Sequence, residues 1–314
     1  MDGETPMMRR YRPSRRLLRS GLFGAGIAVA VWLAASLVIA HQLTRRPSRP
    51  FAEPVPAVTW GEFEALRIRT RDGQDLGAWL VKGKPEAPSV LLLHGNGGSR
   101  GNCLKRAEVL ASQGYAVLLV SLRAHGDSTG EFNDIGYGAR HDVVAGVEFL
   151  ERRRPGRPVM VHGTSMGEAA AIFAAGELGG RVRAYVLESP YRDLKRAVRN
   201  RAENLLPPGL AWVGYRGLLL AARVVLPDLE RIAPIARIGA IPADVPVLIM
   251  AGGEDRSARP EEARALFERV QSHGRFLLFE RGGHINFLDT EPDRYTRALL
   301  GFLRAAEVRG PQPL

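Results

Sequence analysis

A single cysteine, Cys103, stands in 314 residues. One thiol rules out an intramolecular disulfide framework and any cysteine-based zinc cluster. Lysine is nearly as scarce. Lys82, Lys84, Lys105 and Lys195 are the four among 44 basic residues, so arginine richness runs along the whole chain and reads as genome bias. Residues 1–50 hold nine arginines against Asp2 and Glu4, a net +7 of the chain's +11, which leaves +4 for the other 264 residues. With no zinc-finger spacing and no basic cluster beyond the N-terminus, no nucleic-acid partner is expected. An apolar fraction of 45% and a charged fraction of 25% exclude wholesale disorder.

Charge is missing altogether from Ser20 to Ala40 (SGLFGAGIAVAVWLAASLVIA). As a helix these 21 residues span about 31 Å, the hydrocarbon thickness of a bilayer. Six arginines (Arg9, Arg10, Arg12, Arg15, Arg16, Arg19) precede the run and three (Arg45, Arg46, Arg49) follow it. The positive-inside rule then places the N-terminus in the cytoplasm and the remainder on the extracytoplasmic side. A cleaved signal peptide ending at Val38-Ile39-Ala40 is the rival reading, but its apolar region should measure only about 7–15 residues. Gly26, Ala30 and Ala34 recur at the spacing that lets membrane helices pair, or simply reflect an Ala/Gly-rich helix. The expected organisation is a basic cytoplasmic tail (1–19), a transmembrane anchor (20–43), a proline-rich extended tether (44–60), a folded domain (61–306) and a short tail (307–314).

Within the domain, EFEALRIRT and DLGAWLV flank Asp72-Gly73 and read as an antiparallel hairpin. Six solidly apolar runs follow: SVLLL (89–93), AVLLV (116–120), PVMV (158–161), AYVL (184–187), PVLIM (246–250) and RFLLF (275–279). Such runs are parallel strands covered on both faces. Helix-length segments at about 100–113, 138–153, 166–178, 260–272 and 291–306 lie between and after them. The alternation predicts a doubly wound α/β domain whose ligands bind beyond the carboxyl ends of the strands. Residues 191–244 break the rhythm. They form either one more crossover with a long helix or a lid, and their apolar stretch LAWVGYRGLLLAARVVL favours a lid facing an apolar substrate or the bilayer.

Gly-x-Ser-x-Gly, the mark of a strained strand-to-helix turn presenting a serine, occurs three times: GGSRG (97–101), GDSTG (126–130) and GTSMG (163–167). Only GTSMG follows a strand directly and opens a helix, so Ser165 is the expected nucleophile, with Ser99 and Ser128 structural. A serine needs a base, an acid that orients it, and oxyanion donors. His284 follows the last strand through Glu280-Arg281-Gly282-Gly283, the place for the base, whereas His41, His141 and His273 border helices. Asp255, beyond PVLIM, is the expected acid; Glu254 is a solvated neighbour and Glu188 the backup. The oxyanion donors are the N–H of Met166 and one from His94-Gly95-Asn96-Gly97-Gly98, taken as Asn96. A phosphate loop fails there, because no Gly-Lys-Ser/Thr follows and Arg100 breaks the glycine register.

In the order Ser165, Asp255, His284, and with HGNGG, RAHGDS, GTSMG, GGEDRSARP and GGH, residues 61–306 resemble the α/β-hydrolase superfamily, in particular its membrane-anchored and serine-aminopeptidase-like members. The resemblance implies the α/β-hydrolase fold: an eight-stranded, mostly parallel sheet with helices on both faces, and residues 191–244 as a cap between strands six and seven. Two residues depart from the pattern. Glu168 stands where such elbows carry a small residue and brings negative charge toward a developing oxyanion. Arg259 replaces the usual proline after the acid. The expectation is a membrane-anchored serine hydrolase of carboxylic esters, with no cofactor or metal and a small-molecule acyl ester as substrate. A peptidase or amidase acting on short peptides is the alternative on the same triad, and a catalytically silent membrane-anchored binding module is the alternative from another class. Oligomeric state is not legible.

Overall fold

The computed structural model describes residues 15–226 and 228–308, so residues 1–14 of the tail expected over 1–19 and residues 309–314 of the tail expected over 307–314 lie outside the described residues. The strands are β1 (Phe63–Arg69), β2 (Asp75–Val81), β3 (Ser89–Leu93), β4 (Ala116–Val120), β5 (Val159–Thr164), β6 (Val182–Glu188), β7 (Val247–Gly252) and β8 (Gly274–Phe279). The helices are α1 (Arg15–Leu43), α2 (Leu104–Ala111), α3 (Arg140–Arg153), α4 (Met166–Leu178), α5 (Leu194–Leu205), α6 (Pro208–Val225), α7 (Pro260–Arg269), the single turn α8 (Phe287–Thr290) and α9 (Pro292–Val308). The eight strands make one sheet in the order β1-β2-β4-β3-β5-β6-β7-β8. β2 runs antiparallel to β1 and β4; β3 to β8 are mutually parallel. This is the α/β-hydrolase fold.

The uninterrupted apolar runs are explained by burial on both sides. On one face Leu91, Leu118, Val161 and Ile249 meet apolar residues of α3, α4 and α7. On the other, Val90, Val117, Met160 and Leu248 meet α2 and α9. The chain leaves β3 for β4 on one side and later adds β5 on the other. The carboxyl ends of β3 and β5 therefore border a switch point, the crevice where ligands of such sheets sit.

Residues 191–244 form α5, α6 and short 3₁₀ turns at 229–231, 234–236 and 238–240, in place of a single long crossover helix. α5 and α6 share a small core of their own through Leu194, Ala222 and Leu226. α6 also packs along α1. Trp32, Ser36, Ala40 and Thr44, four residues apart, make the stripe of α1 and its last turn that is least exposed. A Cβ on Gly217 of α6 would lie 2.2 Å from Ser36 Oγ and 2.8 Å from Trp32 Nε1, so only glycine lets the two helices approach this closely. The Gly26-Ala30-Ala34 row is a different, exposed stripe.

The tether has little regular structure, as its four prolines require, but it is not a loose link. The side chain of Arg46, 5% exposed, donates to the carbonyls of Gly126 and Gly130, each at 3.2 Å, and to that of Ser128. Glu53 is buried against Arg100 at 3.0 Å. Arg100 in turn stacks 4.6 Å over the Trp79 ring. Charge pairing within the domain fastens what proline alone would leave extended.

Candidate active site

Ser165 sits between β5 and α4 with φ +51° and ψ −116°, a backbone conformation that costs an L-residue about 1–3 kcal/mol. The flanking glycines make it sterically feasible. A Cβ at Gly163 would meet the Gly167 and Glu168 backbone at 2.5 Å, and one at Gly167 would meet the Leu93 and His94 carbonyl oxygens at 2.6 and 2.7 Å. The other two pentapeptides hold structural serines. Ser128 Oγ accepts the Gly77 N–H at 2.9 Å and donates to the Ser121 carbonyl. Ser99 precedes a 3₁₀ turn and donates its N–H to Asn102 Oδ1 at 2.8 Å.

The three residues expected to act together are brought together. His284 Nε2 lies 3.0 Å from Ser165 Oγ, and His284 Nδ1 lies 2.7 Å from Asp255 Oδ2. Asp255 has a side chain with no exposure, and its second oxygen accepts the N–H groups of Ser257 at 2.8 Å and Ala258 at 2.9 Å. That carboxylate is fixed from three directions, so it can hold the imidazole with its proton on Nδ1 and its lone pair on Nε2 facing the serine. Glu254 is exposed, as expected of a solvated neighbour. Arg259 pairs with Glu203 of α5 at 2.6 Å, which ties the loop bearing Asp255 to the cap.

Against Ser165 lies the loop after β3; a Cβ on Gly95 would touch Ser165 Cβ at 3.3 Å. The backbone N–H groups of Asn96 and Met166 donate to no acceptor among the described residues. Two buried histidines hold the loop. His94 Nε2 accepts from Leu122 N at 2.9 Å while its Nδ1 donates to the Gly95 carbonyl at 2.7 Å. His125 Nε2 accepts from Gly97 N at 3.2 Å. Both acceptor roles require a neutral ring, and burial pushes His94 down to about 3 and His125 below its ordinary value.

Two further carboxyls, Glu168 and the backup acid Glu188, are fully buried. Burial pushes the Glu168 carboxyl well above its ordinary value and so favours the neutral acid at the elbow, and it accepts the Tyr191 N–H at 3.3 Å. Glu188 is not placed to serve His284. Burial raises its carboxyl, but Arg106 and His162 outweigh that and hold it ionised below the usual range. Arg106 Nη2 donates to it at 2.6 Å, His162 Nε2 lies 2.6 Å away, and Tyr295 donates its hydroxyl.

Three supporting residues carried no motif. Arg106 also donates to the Ile285 carbonyl at 3.0 Å, and Ser189 Oγ accepts the Ile285 N–H at 3.2 Å. Ile285 has φ +56°, so these two bonds steady a strained residue directly after His284. Asn133, 4% exposed, donates its side-chain amide to Asn96 Oδ1 at 2.7 Å. The positions adjoining HGNGG and GGH were the available signal; their partners come from loops distant in sequence.

Residues 84–230 match the family model described as serine aminopeptidase, S33. The chain is 28% identical over 168 residues to the lysophosphatidylserine lipase ABHD12 of Xenopus tropicalis, a match that covers 51% of this chain and 43% of that protein. It thus spans less than half of that relative's length. Human protein ABHD12B is 27% identical over 248 residues, 74% of this chain and 65% of the relative. Among solved structures, an esterase of Pyrococcus furiosus superposes with a TM-score of 0.68 at 24% identity, over 83% of this chain and 98% of the esterase.

Proposed function

We propose that the chain, which has the α/β-hydrolase fold and matches the serine aminopeptidase family model over residues 84–230, is a membrane-anchored serine hydrolase of carboxylic esters, with Ser165, His284 and Asp255 as its triad. The observation that carries this reading is the unbroken line from Ser165 Oγ through the His284 ring to a buried Asp255, at 3.0 and 2.7 Å. Ser165 Oγ attacks the acyl carbon as His284 Nε2 takes its proton. The N–H groups of Asn96 and Met166 receive the oxyanion. His284 then protonates the leaving alcohol, and water releases the acyl group by the same route. Each of these two donors is worth roughly 10²–10³-fold in rate.

Anchoring rests on Arg19–Leu43, the 25-residue apolar stretch of α1, whose side chains are almost all exposed. The excess of arginine before it favours a cytoplasmic N-terminus and an extracytoplasmic catalytic domain. Esters are preferred over peptides because the cavity beside Asn96 is lined by apolar side chains with Arg201 as its one charge. An aminopeptidase site would offer a carboxylate to the substrate's ammonium group. The description of the matched family keeps a peptidase as the second reading. A panel of p-nitrophenyl esters and aminoacyl p-nitroanilides decides between them. Turnover of esters with inert anilides is expected, and faster anilide turnover would reverse the assignment.

A further inference from the structure

Three observations join the end of the anchor helix to the substrate side of the site. The cavity that opens beside Asn96 has Ala40, Leu43 and Thr44 as one wall, facing Leu194, Val198 and Val225 of the cap. The wall is fastened by backbone pairing. Asn133 N donates to the Thr44 carbonyl and Arg46 N to the Glu131 carbonyl, both at 2.9 Å, while Arg45 bridges Phe132. The same Asn133 then reaches Asn96 through its side chain at 2.7 Å. The last turn of α1 is thereby in register with the residue that offers the oxyanion N–H.

We propose that this last turn, with Ala40 and Thr44 buried and Leu43 at its exposed rim, is a wall of the acyl-chain subsite, so that the membrane anchor itself sets chain-length selectivity. This rests on the ester-hydrolase reading above. The acyl carbon of a bound ester lies between Ser165 and the Asn96 N–H, and its hydrocarbon chain extends into the cavity between α1 and the α5–α6 hairpin. Each methylene moved from water onto such walls improves transition-state binding by about fourfold, provided the walls stay dry and close. α6 packs on α1 through Gly217 against Ser36, which holds the anchor helix beside the cap.

The test uses the full chain in detergent micelles, with p-nitrophenyl acetate, octanoate and laurate as substrates. The octanoate-to-acetate ratio of kcat/KM is expected to fall at least tenfold in Leu43→Trp and in Val198→Trp, whose indoles fill the pocket from opposite sides. Leu43→Ala is expected to move the preference the other way, toward laurate. Leu205→Trp, on the outer surface of the cap, keeps the wild-type ratio and controls for micelle partitioning. A ratio lowered by Val198→Trp but untouched by both Leu43 variants overturns the anchor as a wall. A ratio untouched by all of them overturns the subsite. If wild-type protein hydrolyses none of the esters in a Ser165-dependent way, the hydrolase reading falls first and this inference with it.

Discussion

Replacing Asp255 by Asn, beside Glu188→Gln, separates a catalytic carboxylate from a structural one. In Asp255→Asn the amide oxygen can keep the N–H groups of Ser257 and Ala258, so the loop retains its fastening. The amide nitrogen then faces His284 Nδ1, now 2.7 Å from a carboxylate oxygen. A donor there forces the ring proton onto Nε2, which then points at Ser165 and can no longer accept its proton. The expected loss is about 10⁴-fold in kcat with little change in melting temperature. Glu188→Gln acts on stability. It leaves the Arg106 guanidinium, whose side chain is 10% exposed, without a counter-charge. Breaking such a pair costs about 3–5 kcal/mol, or roughly 10 °C in melting temperature for a domain of this size. Single-turnover kinetics and thermal unfolding on the same preparations read both effects. An Asp255→Asn enzyme within about tenfold of wild type, or a Glu188→Gln enzyme as stable as wild type yet inactive, would refute the assignment.

Other expectations follow from buried groups. Because the Glu168 carboxyl is raised in the folded state, unfolding releases its proton between about 4.5 and that raised value, so stability drops as pH rises through this window. Glu168→Gln should flatten the decline in urea titrations from pH 5 to 8; an unchanged slope would mean that Glu168 is ionised in the fold. His94 has the opposite sign. Its ring stays neutral down to about 3, so the unfolded chain takes the proton first and stability is lost below pH 6.5, by roughly 1.4 kcal/mol per pH unit. His94→Gln should shed that acid sensitivity in a urea titration, and a variant equally acid-sensitive would count against it. Cys103 is buried and its thiol is pushed up to about 12, so iodoacetamide should leave the native protein unmodified and alkylate it only in denaturant.

The sheet was legible in the sequence because strands covered on both faces leave no polar alternation: SVLLL and AVLLV coincide with β3 and β4 residue for residue. Ser165 was legible for a local reason, since the elbow's glycines and serine lie within five residues of a strand end. His284 and Asp255 could be placed because strand order puts their loops beside it. Long-range partners were not legible. Nothing near Glu53 announces that Arg100 will bury it, and nothing in the proline-rich stretch announces that Arg46 will thread three carbonyls. Glu168 shows the same limit: its charge state depends on burial, which a one-dimensional pattern does not carry. The cap's second helix was visible as an apolar stretch, but its packing on α1 depends on Gly217 meeting Ser36 across 181 positions of chain.

The most direct test of the central claim is fluorophosphonate labelling of the full chain in its membrane, with Ser165→Ala, Ser99→Ala and Ser128→Ala in parallel. Labelling of wild type that disappears in Ser165→Ala alone is expected, because only Ser165 has a histidine 3.0 Å from its hydroxyl among the three. Labelling that survives in Ser165→Ala, or folded wild-type protein that takes no label, would contradict the account.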